Sequence, residues 1–458
     1  MIDQNNAEKT VHFGQALLAT GWAEKVRVAI SGGLIATITV DVEAQGNDDR
    51  HAIGLPGMSN VHSHAFQRGM AGLAEVRGPG SDSFWTWRDI MYRFVDRIDP
   101  DGLRAIAALA YAEMLEAGFT RVGEFHYLHR DPAGVAYANP AELSHAIIAA
   151  AADTGIGLTH LPVFYAHSGF GGTAPRHAQR RFVHDLDGFA RLLDAVRAGT
   201  AALPDAIVGI APHSLRAVTA DELGHLQTLA GTGPIHIHLA EQLKEVEDCV
   251  AWSGQRPVEW LMDHANIDAR WCLVHATHMT GEETVALAQS GAVVGLCPIT
   301  EANLGDGLFP AVTYQAAGGR FGIGTDSNVL IDMSEEMRLL EYGQRLLARA
   351  RNIMTAAPGQ STGQEMFDAA VRGGAQALGV AGGLAVGHAA DMISLDSSHV
   401  SLVERKGAQI MDSFLFAAGR SAIDGVWRRG TMVVRSGKHV ARDAISDRYR
   451  RALQLLVA

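Results

Sequence analysis

Cysteine is scarce in this chain: Cys249, Cys272 and Cys297 are the only three in 458 residues. An odd number at such wide spacing makes no disulfide framework and suits a reducing compartment. A basic block is also missing. Lys and Arg number 38 against 50 Asp and Glu, a formal net charge of −12, so the electrostatic footprint of a nucleic-acid binder is absent. No apolar run reaches the roughly 18–20 residues that a membrane span needs, and the Ala-rich stretch 146–152 is too short. The opening Met-Ile-Asp-Gln-Asn-Asn shows neither a basic n-region nor an apolar h-region, so no secretory signal is expected. Glycine is plentiful but scattered, without the collagen period. These absences leave a soluble, cytoplasmic, globular protein with ample length to bury a core. At a prior of about 150 residues per domain it is one large domain or two to three smaller ones. Against this background one residue type is in surplus, histidine, with 21.

Both ends of the chain read as β-structure. Residues 26–30 and 34–40 are β-branched and alternate, with Ser31-Gly32-Gly33 as a hairpin turn between them. Residues 391–395, 425–429 and 431–435 are strand-like, and Ser436-Gly437 is a turn. A small β-domain assembled from both termini is expected, with a last helix over 446–457 from the apolar spacing of Tyr449, Leu453 and Leu456.

The middle alternates short β-branched runs with Ala- and Leu-rich helical stretches. Strands are predicted at 55–64, 119–127, 157–165, 206–214, 234–241, 271–278, 292–300 and 320–328. Helices are predicted at 102–117, 142–154, 189–198, 220–230, 256–266, 281–290 and 334–350. Strands and helices alternating in this way predict a (β/α)₈ TIM barrel of the α/β class. An open doubly wound sheet would want a G-x-G-x-x-G after an early strand, and none stands there. The expected division is 1–55 and 379–458 for the terminal β-domain, with the helix in the second part, and 56–378 for the barrel.

A barrel of this kind gathers its chemistry at the C-terminal ends of its strands. The polar residues fall there: His62 and His64, His126, His213, His236, His238 and Glu241, His275 and His278, and Asp326. His62 and His64 share one face of a strand because side chains i and i+2 do. In a closed barrel that face is the interior, so both imidazoles can reach one metal. His236 and His238 make a second such pair. His238 lies nearer the strand end and is the better ligand; His236 is deeper. Glu241 stands at the mouth, as a proton carrier or simply a solvated carboxylate. Asp326 after an apolar strand is a helix cap or a ligand. Cys297 reads as a buried structural thiol.

At these residues the pattern resembles the amidohydrolase superfamily of metal-dependent hydrolases. The marks are Leu55-Pro56-Gly57-Met58-x-Asn60-x-His62-x-His64, His238-Leu239-Ala240-Glu241, His275 after the sixth strand, Gly324-Thr325-Asp326-Ser327, and Gly383-Leu384-x-x-Gly387-x-x-Ala390-Asp391. The last of these resembles the return of such chains to a small β-sandwich. The fourth strand ends in His213, with no lysine where a binuclear member would carry one. Within the superfamily the loops are similar to those of formimidoylglutamate deiminases. They are His64-Ala65-Phe66-Gln67-Arg68-Gly69-Met70, Phe84-Trp85-Thr86-Trp87-Arg88, Gly123-Glu124-Phe125-His126-Tyr127 and Ala211-Pro212-His213-Ser214-Leu215-Arg216.

The resemblance implies one divalent metal, Zn²⁺ or Fe²⁺, on His62, His64, His238 and Asp326. It implies a metal-bound hydroxide attacking the formimino carbon of N-formimino-L-glutamate in histidine degradation. Asp326 would take the water proton, Glu241 would protonate the leaving amine, and His275 would orient the water and stabilise charge. A substrate with two carboxylates calls for arginine. Arg88 and Arg216, in loops after the first and fourth strands, are the candidates, with Gln67, Tyr127 and His213 as further donors. Trp85 and Trp87 close the pocket or pack. The expected partner is this small anionic molecule in a cytoplasmic homodimer, with neither nucleic acid nor membrane. The alternatives are another deaminase of the same branch, acting on guanine, an adenosine derivative or another amidine, and a non-catalytic barrel acting as a binding protein.

Overall fold

A computed structural model of the chain describes residues 9–78, 80 and 82–457. Eight strands in sequence order build a parallel barrel: Met58–Ser63, Phe119–His126, Gly157–Phe164, a broken fourth strand, Ile235–Leu239, Trp271–His275, Val293–Leu296 and Arg320–Ile323. The eighth pairs with the first through Ile323 and Asn60. Parallel bridges Ile210–Ile235 and Ser214–His238 join the fourth strand to the fifth and close the ring. The fourth strand survives only as Ile207–Val208 and Ala211–Pro212. It breaks at Gly209, where a Cβ would run into the Pro234 carbonyl, and Pro212 has no N–H to give a ladder. The Gly157–Phe164 strand is buried along its whole length, as expected for a sheet covered by helices.

The strand expected at 55–64 is two. Asp49–Pro56 belongs to the terminal sheet and Met58–Ser63 to the barrel. Gly57 makes the transfer, at a point where a Cβ would collide with Thr120. The β-structure of the two ends is one eight-stranded sheet, in the order Lys438–His439, Thr431–Arg435, Ile423–Arg428, Met392–Leu395, Asp49–Pro56, Lys9–Leu18, Gly21–Ser31, Leu34–Thr39. Its own core includes Val11, Phe13, Val28, Leu384, Met392 and Trp427. The last helix, Arg442–Val457, is a turn longer than expected and packs on the barrel helix Pro100–Glu116. Arg442 reaches Glu113 and Glu116 there, at 3.1 and 3.2 Å.

The helix Phe84–Val95 was not expected, and Arg88 lies on it rather than in a loop. Ser83 caps it: its Oγ accepts from Trp85 N, and Thr86 Oγ1 accepts from Ser83 N. No helix among the described residues is long and apolar enough to cross a membrane.

Candidate active site

The C-terminal ends of the first, fifth and eighth barrel strands bring four side chains to one point. His62 Nε2 lies 3.1 Å from both His64 Nε2 and His238 Nε2. Asp326 Oδ1 is 3.4 and 3.3 Å from the Nε2 atoms of His62 and His64. All four residues are buried. Four donors around a divalent ion with bonds of roughly 2.0–2.1 Å stand about 3.3–3.4 Å apart, so the spacing fits one ion. The outer nitrogens of His64 and His238 are also set, while His62 Nδ1 has no hydrogen-bond partner among the described residues. His64 Nδ1 meets the Phe125 carbonyl at 2.8 Å and His238 Nδ1 the His213 carbonyl at 2.9 Å. A ring that donates from Nδ1 presents a bare Nε2, the form a metal needs. Burial holds His62 down to about 3 and lowers His64 and His238 as well, so the imidazoles are neutral. Burial raises the Asp326 carboxyl, but its histidine neighbours, His62 first through a hydrogen bond and then His64 and His275, outweigh it and keep it ionised. Three neutral imidazoles and one carboxylate are a suitable donor set for Zn²⁺ or Fe²⁺.

A polar clamp holds the first and eighth strand ends in register. Asn60 Nδ2 donates to Thr325 Oγ1 at 2.7 Å, and Thr325 Oγ1 donates to Asn328 Oδ1 at 2.6 Å. Asn328 Nδ2 reaches the carbonyls of His64 and Asp326 at 3.2 and 3.0 Å. Several of these positions hold left-handed backbone: Asp326 at φ +43°, Asn328 at +55°, Ala240 at +50° and His275 at +69°. Such conformations are costly outside glycine and concentrate at functional sites.

Glu241 Oε1 and Asp326 Oδ2 both lie 3.8 Å from His275 Nε2. Burial is the main force that lifts Glu241 to about 7, poised to give or take a proton. Burial opposes charge on His275, but Glu241, the hydrogen bond to Glu301 and Asp326 together raise it to about 10. The Glu301 contact is 3.2 Å, from His275 Nδ1.

The rest of the cavity lining is cationic and aromatic. Gln67, Arg88, Tyr127, His213 and Arg216 line the same cavity as His64, His238, Glu241, His275 and Asp326. Gln67 Nε2 donates to the Tyr127 hydroxyl at 2.8 Å. The guanidiniums of Arg88 and Arg216 lie 4.6 and 5.7 Å from the Trp85 ring. Trp87 lines the cavity itself. The Nε of each arginine is buried without a hydrogen-bond partner among the described residues.

Two strand-end histidines fall elsewhere. His236 Nε2 bonds the Ala377 carbonyl at 2.8 Å, deeper in the barrel. His126 packs edge-on against His129 and beside His160, with ring centroids 5.4 Å from each. Glu301, Glu245, Asn60 and Asn328 gained no role from strand-end position alone. Each acts through a neighbour, and only the presence of an unexplained carboxylate or amide just beyond a motif marks it in the sequence.

A barrel with its chemistry at the strand ends and a three-histidine, one-carboxylate cluster defines a metal-site hydrolase scaffold. The chain belongs to the amidohydrolase family, whose model matches residues 53–440. Residues 8–52 match the formimidoylglutamate deiminase HutF N-terminal domain. The chain is 50% identical over 435 residues to the formimidoylglutamate deiminase of Pseudomonas aeruginosa, covering 94% of this chain and 95% of that one. It is 28% identical to the 8-oxoguanine deaminase of the same organism, over 91% of this chain and 90% of that one. The crystal structure of an amidohydrolase from Brucella melitensis superposes with a TM-score of 0.95 at 54% identity, covering 98% of this chain and 100% of that one.

Proposed function

We propose that the chain hydrolyses N-formimino-L-glutamate to N-formyl-L-glutamate and ammonia. The observation that carries this is the pair of arginines, each with a buried Nε lacking a hydrogen-bond partner among the described residues, that line one cavity with the histidine cluster. Two cations and a proton-handling carboxylate in one cavity match a dicarboxylate with an amidine end. A purine carries no carboxylate for either arginine.

Arg88 and Arg216 bind the two carboxylates, and Gln67, Tyr127 and His213 donate to the remaining carboxylate oxygens. This holds the formimino carbon over the cluster. His62, His64, His238 and Asp326 would hold a divalent ion, which when bound lowers the pKa of a water from about 15.7 towards 7. Asp326 takes the proton of the attacking water on its free oxygen. His275 donates from Nε2 to the oxygen as the carbon becomes tetrahedral, which offsets the developing charge. Glu241 protonates the nitrogen that leaves. The C–N bond then breaks, ammonia departs, and the carbon keeps its oxygen as the formyl group.

The working unit in this reading is the barrel, residues 56–378, with 1–55 and 379–458 forming the terminal sheet and last helix. The ion is Zn²⁺ and the protein a cytoplasmic homodimer, which elemental analysis and sedimentation test directly. The substrate itself is tested by ammonia release from N-formimino-L-glutamate, guanine, 8-oxoguanine and adenosine derivatives. Turnover should be confined to the first, and Glu241→Gln should keep its ion and lose about 10²-fold or more in kcat. Preferred turnover of a purine would overturn the assignment.

A further inference from the structure

Glu245 is a carboxylate with no solvent exposure, one turn into the helix Leu243–Ser253. Its Oε1 accepts from Ala240 N at 3.3 Å and its Oε2 from Glu241 N at 3.2 Å. Oε2 also lies 4.0 Å from Nη2 of Arg216, which lines the same cavity as Glu241. One side chain therefore touches the backbone of the proton carrier and the guanidinium proposed to hold a substrate carboxylate.

The local structure explains why a carboxylate is needed. The chain leaves the fifth strand at Leu239 and turns through Ala240, whose φ of +50° is left-handed. Such a turn costs an alanine of order 1 kcal/mol or more. It also points two successive N–H groups away from the sheet, and buried N–H groups must be paired. Both Glu245 oxygens fill that need, so the turn, and with it the direction of the Glu241 side chain, is fixed by one group. A glutamate three residues after a helix N-cap commonly accepts from the N-cap N–H; Glu245 reaches past Gln242 to the two residues before it. Capping alone does not call for a guanidinium at the same oxygen. The 4.0 Å separation is long for a closed ion pair, so Arg216 keeps donors free for a ligand. Burial works against the charge on Arg216, but Glu245 and then Glu241 outweigh it.

We infer that Glu245 is a positioning residue that sets Glu241 and Arg216 together, so that the substrate-carboxylate end and the proton-transfer end of the site are aligned by one carboxylate. This rests on the proposed deiminase reading for the identity of the bound anion.

The test is a double-mutant cycle on the metal-loaded protein. Glu245→Gln keeps the shape but turns an N–H donor toward a backbone N–H and removes the charge beside Arg216. It should lower kcat about tenfold or more and raise KM for N-formimino-L-glutamate about tenfold. Arg216→Met should raise KM alone, and adding Glu245→Gln to it should raise KM no further while still lowering kcat. Independent KM effects, or wild-type constants in Glu245→Gln, would overturn the inference. Ala240→Gly accepts the left-handed turn without strain, so Ala240→Gly/Glu245→Gln should recover part of kcat and none of KM. It also supplies a second background if the single variant folds poorly. Recovery of both constants together would mean a purely structural role. Hydrogen exchange of the 239–246 peptide needs no substrate. It should be slow in the parent and faster in Glu245→Gln. If the wild type fails to act on N-formimino-L-glutamate, the deiminase reading fails, while the exchange result still decides whether Glu245 holds the turn.

Discussion

Arg88 and Arg216 are held beside the same indole, and like charges at that spacing repel. Among the described residues no carboxylate lies within ion-pair distance of Arg88, and Arg216 has Glu245 at 4.0 Å, with Glu241 as a second acidic neighbour. Each arginine is half-buried and leaves a buried Nε unpaired among the described residues, a cost that an anion in the cavity would relieve. A hydrogen bond to a charged group contributes roughly 1.5–3 kcal/mol, and two such bonds per carboxylate make the loss large. Arg88→Met or Arg216→Met should therefore raise KM for N-formimino-L-glutamate by about 10² or more, with a smaller effect on thermal stability. Steady-state kinetics and a melting curve on the same sample separate the two, and unchanged KM would place the carboxylates elsewhere. Residues that face the lumen at a strand end were legible as candidates because alternation and strand-end position are written in the sequence. His62, His64, His238, His275 and Asp326 are of this kind. Glu245 and Glu301 were not. Their partners, Arg216 and His275, lie 29 and 26 positions away in the chain, and no spacing rule joins them.

The helix Phe84–Val95 carries Arg88 over the barrel mouth, and its hold on the rest of the protein is local. Only Met91, Phe94 and Val95 are fully buried among its residues. Its start depends on Ser83 and Thr86, which bond each other's backbone and side chain. The sequence did not give it away, because Phe84, Trp85, Thr86, Trp87 and Tyr92 are middling helix formers. Its apolar residues also serve a cavity as well as a core, which blurs the helical period. The barrel strands were readable for the opposite reason. Each is a short β-branched run bounded by turn residues, and the terminal sheet shows the same alternation. The stretch 55–64 was one exception, because it runs through two sheets and only Gly57 marks the change; 206–214, cut to two short pieces, and 292–300, whose end is the helix Pro298–Leu304, were others. Loss of an N-cap costs about 1 kcal/mol. Ser83→Ala should spend that locally, raising KM several-fold through Arg88 while the global melting temperature moves little. A matching fall in global stability with KM unchanged would show that the helix is part of the main folding unit.

The surplus of histidine becomes a property of the whole molecule once burial is considered. His126, His129, His160 and His184 are buried together behind the barrel wall, the His129 and His184 rings 4.9 Å apart. Both ring nitrogens of His126, His160 and His184 lack a hydrogen-bond partner among the described residues. Burial is the leading cause that lowers all four, with neighbouring histidines or arginines adding to it, to about 3 for His126 and about 4 for His184. In the unfolded chain each returns to an ordinary value near 6.5. Between those limits the unfolded state binds more protons than the folded one, so stability rises with pH and is lost as pH falls below about 6.5. At pH 5.5, one unit below that value, a group that charges only on unfolding costs about 1.4 kcal/mol. His126 and His184 alone then cost about 3 kcal/mol, a large share of the margin of an ordinary domain. The metal-site histidines would confuse the measurement by releasing their ion in acid, so the comparison belongs to the metal-free protein. Urea unfolding at pH 7.5, 6.5 and 5.5 should give a midpoint that falls at each step, most steeply at the last. His126→Leu/His160→Leu removes two of the four groups and should flatten that slope even if it shifts the midpoint at pH 7.5. A midpoint that does not change between pH 7.5 and 5.5 would mean that these imidazoles are as easily protonated inside the fold as outside it.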